Sequence, residues 1–219
     1  MTIAETHERI NFILNKDIGQ YISPDDIDNA LDEAQRIVFT NLLPAKRTTQ
    51  VHDYLNVFLN NVSFTADAFN LSTARYGTGT DSILVLPSDY KFLQSVYLSS
   101  GQRVDELTLG ELPEVLSSKI IAPTTTKPVF VFAGQGGTLN SEPITGLGKL
   151  QFYPNTQGYA GKLWYLRTPA TPNYLYTASG DTITHNPGAS TNLEWIDEAI
   201  ERFIIPEALK YLKEHLQMN

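Results

Sequence analysis

The chain has 219 residues, 42% hydrophobic and 18% charged, which fits a folded globular protein and excludes a disordered one. It has no cysteine, so disulfides, thiolate metal sites and a cysteine nucleophile are all excluded. The net charge is −8, and its only adjacent bases are Lys46 and Arg47, so the clustered basic stripe of a tight nucleic-acid reader is missing.

The first third reads as helical. Thr2 and Glu5 have the spacing of a capping box, and Ile3, Ile10, Phe12, Ile13 and Leu14 give a short amphipathic segment. Acids and other polar residues interrupt this start, so it does not read as a secretory signal. No apolar run approaches the roughly 18 residues of a membrane span. The chain is expected to be soluble, with no membrane partner and no classical export. Residues 16–22, with Gly19, read as a connector.

A second helix is expected from about Pro24 to Asn41, stopping before Pro44. Ser23 can cap it, and Pro24 suits the first helical position because its missing N–H costs nothing there. Asp25 and Asp26 then meet the positive end of the helix dipole. Ile27, Ala30, Leu31, Ala34, Ile37 and Val38 form one apolar stripe. Asp25, Asp26 and Asp28 raise the question of a metal, but Asp26 points away from the other two. No D-x-D-x-D-G loop ends in Glu, so a helix start accounts for them. A third helix is expected from Thr48 over about five turns, carrying Val51, Tyr54, Leu55, Phe58, Val62 and Phe69.

From Ser72 the texture changes to short apolar runs between Gly, Pro, Asn and Ser. SILVLP (82–87), LQSVYLSS (93–100), PVFVFAG (128–134), KLQFYP (149–154) and GKLWYLRTP (161–169) are the expected strands. VDELTLGELPEVLSSK (104–119) reads as a short helix broken near Pro113. At the end, Thr191 and Glu194 suggest a capping box ahead of Trp195, Ile196, Ala199, Ile200, Phe203 and Ile204. Pro206 should kink or interrupt that helix, and Leu209, Leu212 and Leu216 continue its face.

This order implies an α+β fold: a helical bundle from residues 1–72 and 193–219, with an inserted antiparallel β-sandwich or barrel-like domain over 73–192. The charge follows the same division. Residues 1–72 carry −5, residues 193–219 carry −3, and residues 73–192 are neutral.

No motif points to catalysis, a cofactor or a metal. His7, His52, His185 and His215 are expected on three helices and one loop, as surface or helix-face residues, with no zinc spacing. The loop AGQGGTLN (133–140) follows a strand, but no G-K-[ST] and no helix come after it, so it reads as a hairpin tip. No G-x-S-x-G elbow exists. The acid pairs Asp105–Glu106 and Glu111–Glu114 show no glycosidase geometry. Phe152, Tyr153, Tyr159, Trp164, Tyr165, Tyr174 and Tyr176 make a dense aromatic run. Strand alternation puts Leu163 and Tyr165 on one face and Trp164 and Leu166 on the other, one face for the core and one for a protein contact or a sugar platform.

YISPDDIDNALDEAQ (21–35), LVLPSDYKFLQSVYLSSGQRVDELTLGEL (84–112), KLQFYPN, GKLWYLRTPATP and EWIDEAIERFIIPEAL together resemble the head–tail connector proteins of tailed bacteriophages. The likeness is to the tail tubular protein A type of short-tailed phages and the ring proteins of crAss-like phages. LPSDY before a strand, and Tyr165, Arg167 and Pro169 ending one, are its most specific pieces. The resemblance implies a non-enzymatic virion protein of the phage neck or tail, assembled in the host cytoplasm. It would form a homo-oligomeric ring, often a dodecamer, and bind the portal protein and the next tail or connector protein. Genomic DNA would pass through the lumen without sequence-specific binding, along acidic helices. Long loops at 134–148 and 169–192 would be ordered only by neighbouring subunits. The alternative is a carbohydrate-binding β module with Trp164 or the tyrosines on one open face.

Overall fold

A computed structural model describes residues 1–17, 22–44, 49–66, 82–135, 138–139, 142–143, 148–154, 158–179 and 182–217. In chain order the elements are helices α1 (Ile3–Asp17), α2 (Pro24–Leu42) and α3 (Thr49–Asn56), then strands β1 (Leu59–Ala66), β2 (Ser82–Val85), β3 (Tyr90–Leu98) and β4 (Arg103–Leu107). Helix α4 (Leu112–Ser117) precedes β5 (Val129–Gln135), β6 (Thr138–Leu139), β7 (Glu142–Pro143), β8 (Gly148–Tyr153) and β9 (Tyr159–Arg167). The hairpin β10 (Tyr176–Ser179) and β11 (Thr182–His185) leads to a closing helix of three parts: α5 (Asp197–Ala199), a π turn (Ile200–Ile204) and α6 (Ile205–Gln217).

The chain divides into two compact units, Met1–Phe58 with Pro169–Asn219, and Leu59–Thr168. The boundaries expected at 72/73 and 192/193 therefore fall at 58/59 and 168/169. All the excess charge sits in the first unit, which holds 16 acids and 8 bases, against 8 and 8 in the second.

In the first unit the caps act much as the sequence suggests. Thr2 and Glu5 exchange hydrogen bonds at the head of α1. The Ser23 hydroxyl accepts from Asp26 N at 3.2 Å, with Pro24 at the first position of α2. The stripe of α2 is buried at Ile27, Ala30, Leu31, Ala34, Val38 and Phe39, with Ile37 half-buried, and α2 packs against α6, where Ala208 is buried. Phe39, Phe58 and Trp195 meet edge to face, with ring centroids 4.7–6.2 Å apart. Pro206 supplies no N–H, and the helix absorbs the loss in the π turn just before it, where Ile205 N–H reaches back five residues to Ile200 O. The expected Thr191–Glu194 cap is not made. Thr191 pairs with Asn173, Glu194 accepts from Ala170 N, and the helix starts only at Asp197.

The second unit is a seven-stranded sheet in the order β1-β9-β3-β4-β5-β8-β2. Its edge strands β1 and β2 come together, so the sheet curls into a nearly closed barrel. The expected all-antiparallel arrangement is broken once: β4 and β5 run parallel, because the 21 residues between them are long enough for a crossover. The five expected strands are present as β2, β3, β5, β8 and β9. Two strands of this sheet were not expected. Leu59–Ala66 continues the helical spacing of α3 but pairs along its whole length with β9, so Val62 lies on a strand. Phe69 falls outside the described residues. Arg103–Leu107 forms β4, and Pro113 starts α4 rather than breaking a longer helix. The interior is filled by Phe64, Val96, Phe130, Phe152, Leu163 and Tyr165, among others.

Two glycines answer specific needs. Gly101 takes φ +84° in the β3–β4 turn, a conformation that other residues rarely adopt. A Cβ on Gly161 would sit 2.0 Å from the Tyr97 carbonyl oxygen, so only glycine lets β9 lie this close to β3.

Candidate functional site

Asp25 and Asp26 are exposed at the start of α2, as a helix start requires. Asp28 has a different task. Its Oδ1 lies 2.8 Å from His7 Nε2 on α1, and its Oδ2 accepts from Tyr174 N at 2.7 Å. The Tyr174 ring is stacked between His7 at 4.5 Å and His185 at 4.3 Å, and His185 Nε2 lies 2.9 Å from Ser190 Oγ. His7 is thus buried, not on the surface, and His185 ends β11 rather than lying in a loop. Burial first, then the negative charges of Glu8 and Asp28, raise the Tyr174 phenol above its usual range. The Ser190 hydroxyl is committed to backbone: it donates to Asn186 O and accepts from Leu175 N. The column is a clamp that ties the 169–192 segment to α1 and α2. Gln35 adds a bond to Ala170 O and Asn192 one to Ile3 N. The described part of this segment is therefore held by contacts within its own chain, where only neighbours were expected to hold it. The companion loop at 134–148 lies mostly outside the described residues.

The remaining expected groups do not converge. The side chain of His52 is outside the described residues, as are Lys46 and Arg47, and His215 stacks on Tyr211 at the end of α6. Among the described residues, no group of three or more His, Asp and Glu could hold a metal ion. No described helix is long and apolar enough to cross a membrane. Of the 133–140 loop only the backbone of 133–135 and 138–139 is described, and Thr138–Leu139 pairs with Glu142–Pro143. Glu111 is a cap: its carboxylate accepts from Thr108 N and Thr108 Oγ1, and these bonds lower its pKa. Asp105 and Glu114 are exposed.

The aromatics split as strand alternation requires. Tyr165 and Leu163 are buried in the barrel, whereas Trp164 is half-buried rather than open as a sugar platform needs. Tyr165 donates to Asp89 Oδ1 at 2.9 Å and accepts from Asn60 Nδ2 at 3.2 Å. Burial, then a lesser repulsion from Glu106, pushes Tyr90 up to about 12, against an opposing backbone hydrogen bond at Leu93.

What sequence reasoning missed lies on the surface. Residues 108–127, the crossover from β4 to β5, contain no buried residue. Leu109, Leu116, Ile120 and Ile121 are exposed there, Ile120 by 93%. The arm holds its shape by short-range bonds. Thr108 and Glu111 cap each other, Ser118 Oγ accepts from Ile120 N and Ile121 N, and Thr124 pairs with Lys127. On the other unit, Phe12 is 62% exposed, because it lies about 200° around α1 from Ile10 and leaves the buried stripe. It floors an open groove with Ile13, Glu8 and Asp197. In the arm the sequence signal was apolar residues that no strand alternation needed, whereas Phe12, expected in the apolar set of the first helix, leaves that face.

Comparison with known proteins finds no matching family model and no matching curated protein.

Proposed function

We propose that the chain is a structural, non-enzymatic subunit that assembles with copies of itself, of the head–tail connector type found in tailed phages. In this reading, helices from both ends of the chain form a small bundle, and the strand unit is an inserted barrel-like domain. A ring of such subunits, a dodecamer on the resemblance, joins the portal to the next tail protein. The −8 charge of the helix-bearing unit suits a channel wall along which DNA slides.

The observation that carries the reading is the arm at 108–127. Ordering one residue costs about 1–2 kcal/mol of backbone entropy. Here about twenty residues hold short-range turns and bonds with none buried, and four of them present large apolar side chains. Four exposed large apolar side chains within one short segment suit contact with another macromolecule. The barrel beside it is filled with side chains, as suits a scaffold.

The test is electron microscopy of the purified protein, alone and mixed with a phage portal protein. Closed rings with a central channel, stacked on the portal, are expected. A stable monomer that ignores the portal overturns the proposal.

A further inference from the structure

We infer that the tip of the arm, Lys119–Ile120–Ile121, is a knob that seats in the α1 groove of a second copy of this chain. The inference rests on the proposed self-assembly and adds which surfaces meet.

The two surfaces set an exposed apolar tip against a groove lined in part by apolar residues, and a lysine against a glutamate. Ile120 is the most exposed large apolar residue among those described, and Ser118 fixes the turn that holds it outward. The groove is a concavity with an apolar floor, Phe12 and Ile13. An aliphatic anchor in an apolar pocket is the usual centre of a protein contact. Lys119 flanks the knob and is exposed. Glu8 lines the groove with Glu5 and Asp197; Glu5 caps α1 and Asp197 pairs with the Met1 ammonium, so Glu8 is the carboxylate set against Lys119. Arg9, the basic side chain lining the groove, reaches Glu201 at 4.0 Å. The knob lies on the strand-bearing unit and the groove on the helix-bearing unit, so they are different patches of one chain. A contact between different patches is heterologous. It runs head to tail and closes into a ring when the rotation allows, unlike the self-matched patch of a two-fold dimer.

The test uses three full-length variants and sedimentation velocity. Ile120→Asp removes the knob and is expected to abolish assembly. Lys119→Glu and Glu8→Lys each set like charges against each other, and each is expected to weaken self-association roughly tenfold. A one-to-one mixture of the last two has opposite charges at every contact if subunits alternate. It is expected to assemble within about twofold of wild type, and that recovery also shows that both variants are folded. If wild type assembles and all three variants assemble equally well, the knob-and-groove contact is overturned while self-assembly stands. If the mixture stays dissociated although each variant has wild-type circular dichroism, the pairing of these two surfaces is likewise overturned. A wild type that is monomeric at every concentration overturns both proposals.

Discussion

Inside the barrel, Phe130, Phe152 and Leu163 are covered on all sides; along residues 108–127, Leu109, Leu116, Ile120 and Ile121 stand in the open. Both regions belong to the same unit. They differ in what their apolar side chains are for. Those of the barrel stabilise the fold by leaving water within the chain. Those of the arm gain less from the chain's own folding, since 43–93% of each stays exposed, and that apolar surface is left for a partner. A unit built this way separates the residues that decide whether it folds from those that decide whether it assembles.

That separation can be broken from several sides. The largest effect belongs to the barrel centre. Phe152→Ala empties a fully buried site, touched by the rings of Phe64, Phe130 and Tyr159, and should cost about 3–5 kcal/mol by chemical denaturation. Next comes Gly161→Ala. Its methyl would press on the Tyr97 carbonyl oxygen, which is backbone and cannot swing aside, so a loss of about 1–3 kcal/mol is expected, with faster amide exchange along β3. In the other unit, Asp28→Ala leaves His7 and the Tyr174 N–H without their acceptor. A loss of about 1–3 kcal/mol is expected, with amide-exchange protection falling first in the β10–β11 hairpin.

A pH scan sharpens the contrast without a cavity. Folding raises the Tyr90 phenol from 10.0 to about 12, chiefly through burial. The unfolded chain then releases that proton first. Stability is therefore full below about pH 10 and falls as pH rises toward about 12. Tyr90→Phe should flatten that fall, seen as a smaller drop in unfolding midpoint between pH 9 and pH 12.

Much of this scaffold was legible in the sequence because local rules and tertiary packing agree there. Ser23-Pro24 and Thr2–Glu5 cap as their side chains allow, and the strands with clear apolar runs formed. Leu59–Ala66 was misread because Tyr54, Leu55, Phe58 and Val62 keep a helical spacing across the boundary. Asn60, Asn61, Ser63 and Thr65 are weak helix formers, and pairing with β9 decides the outcome. Arg103–Leu107 was missed because Val104 is its one buried residue. The clamp was illegible for another reason: His7, Asp28, Tyr174 and His185 are brought together only by the fold, and no short spacing announces them. Exposure at Ile120 and Phe12 likewise follows from packing, since nothing in an isoleucine or a phenylalanine says that it will be left uncovered.

The most direct test pairs two readings on one variant, Ile120→Asp: the unfolding midpoint and the mass in solution. The account predicts stability within about 0.5 kcal/mol of wild type, since the side chain touches no core, together with loss of the assembled species. A stability loss as large as that of Phe152→Ala, with the assembled mass unchanged, would contradict it.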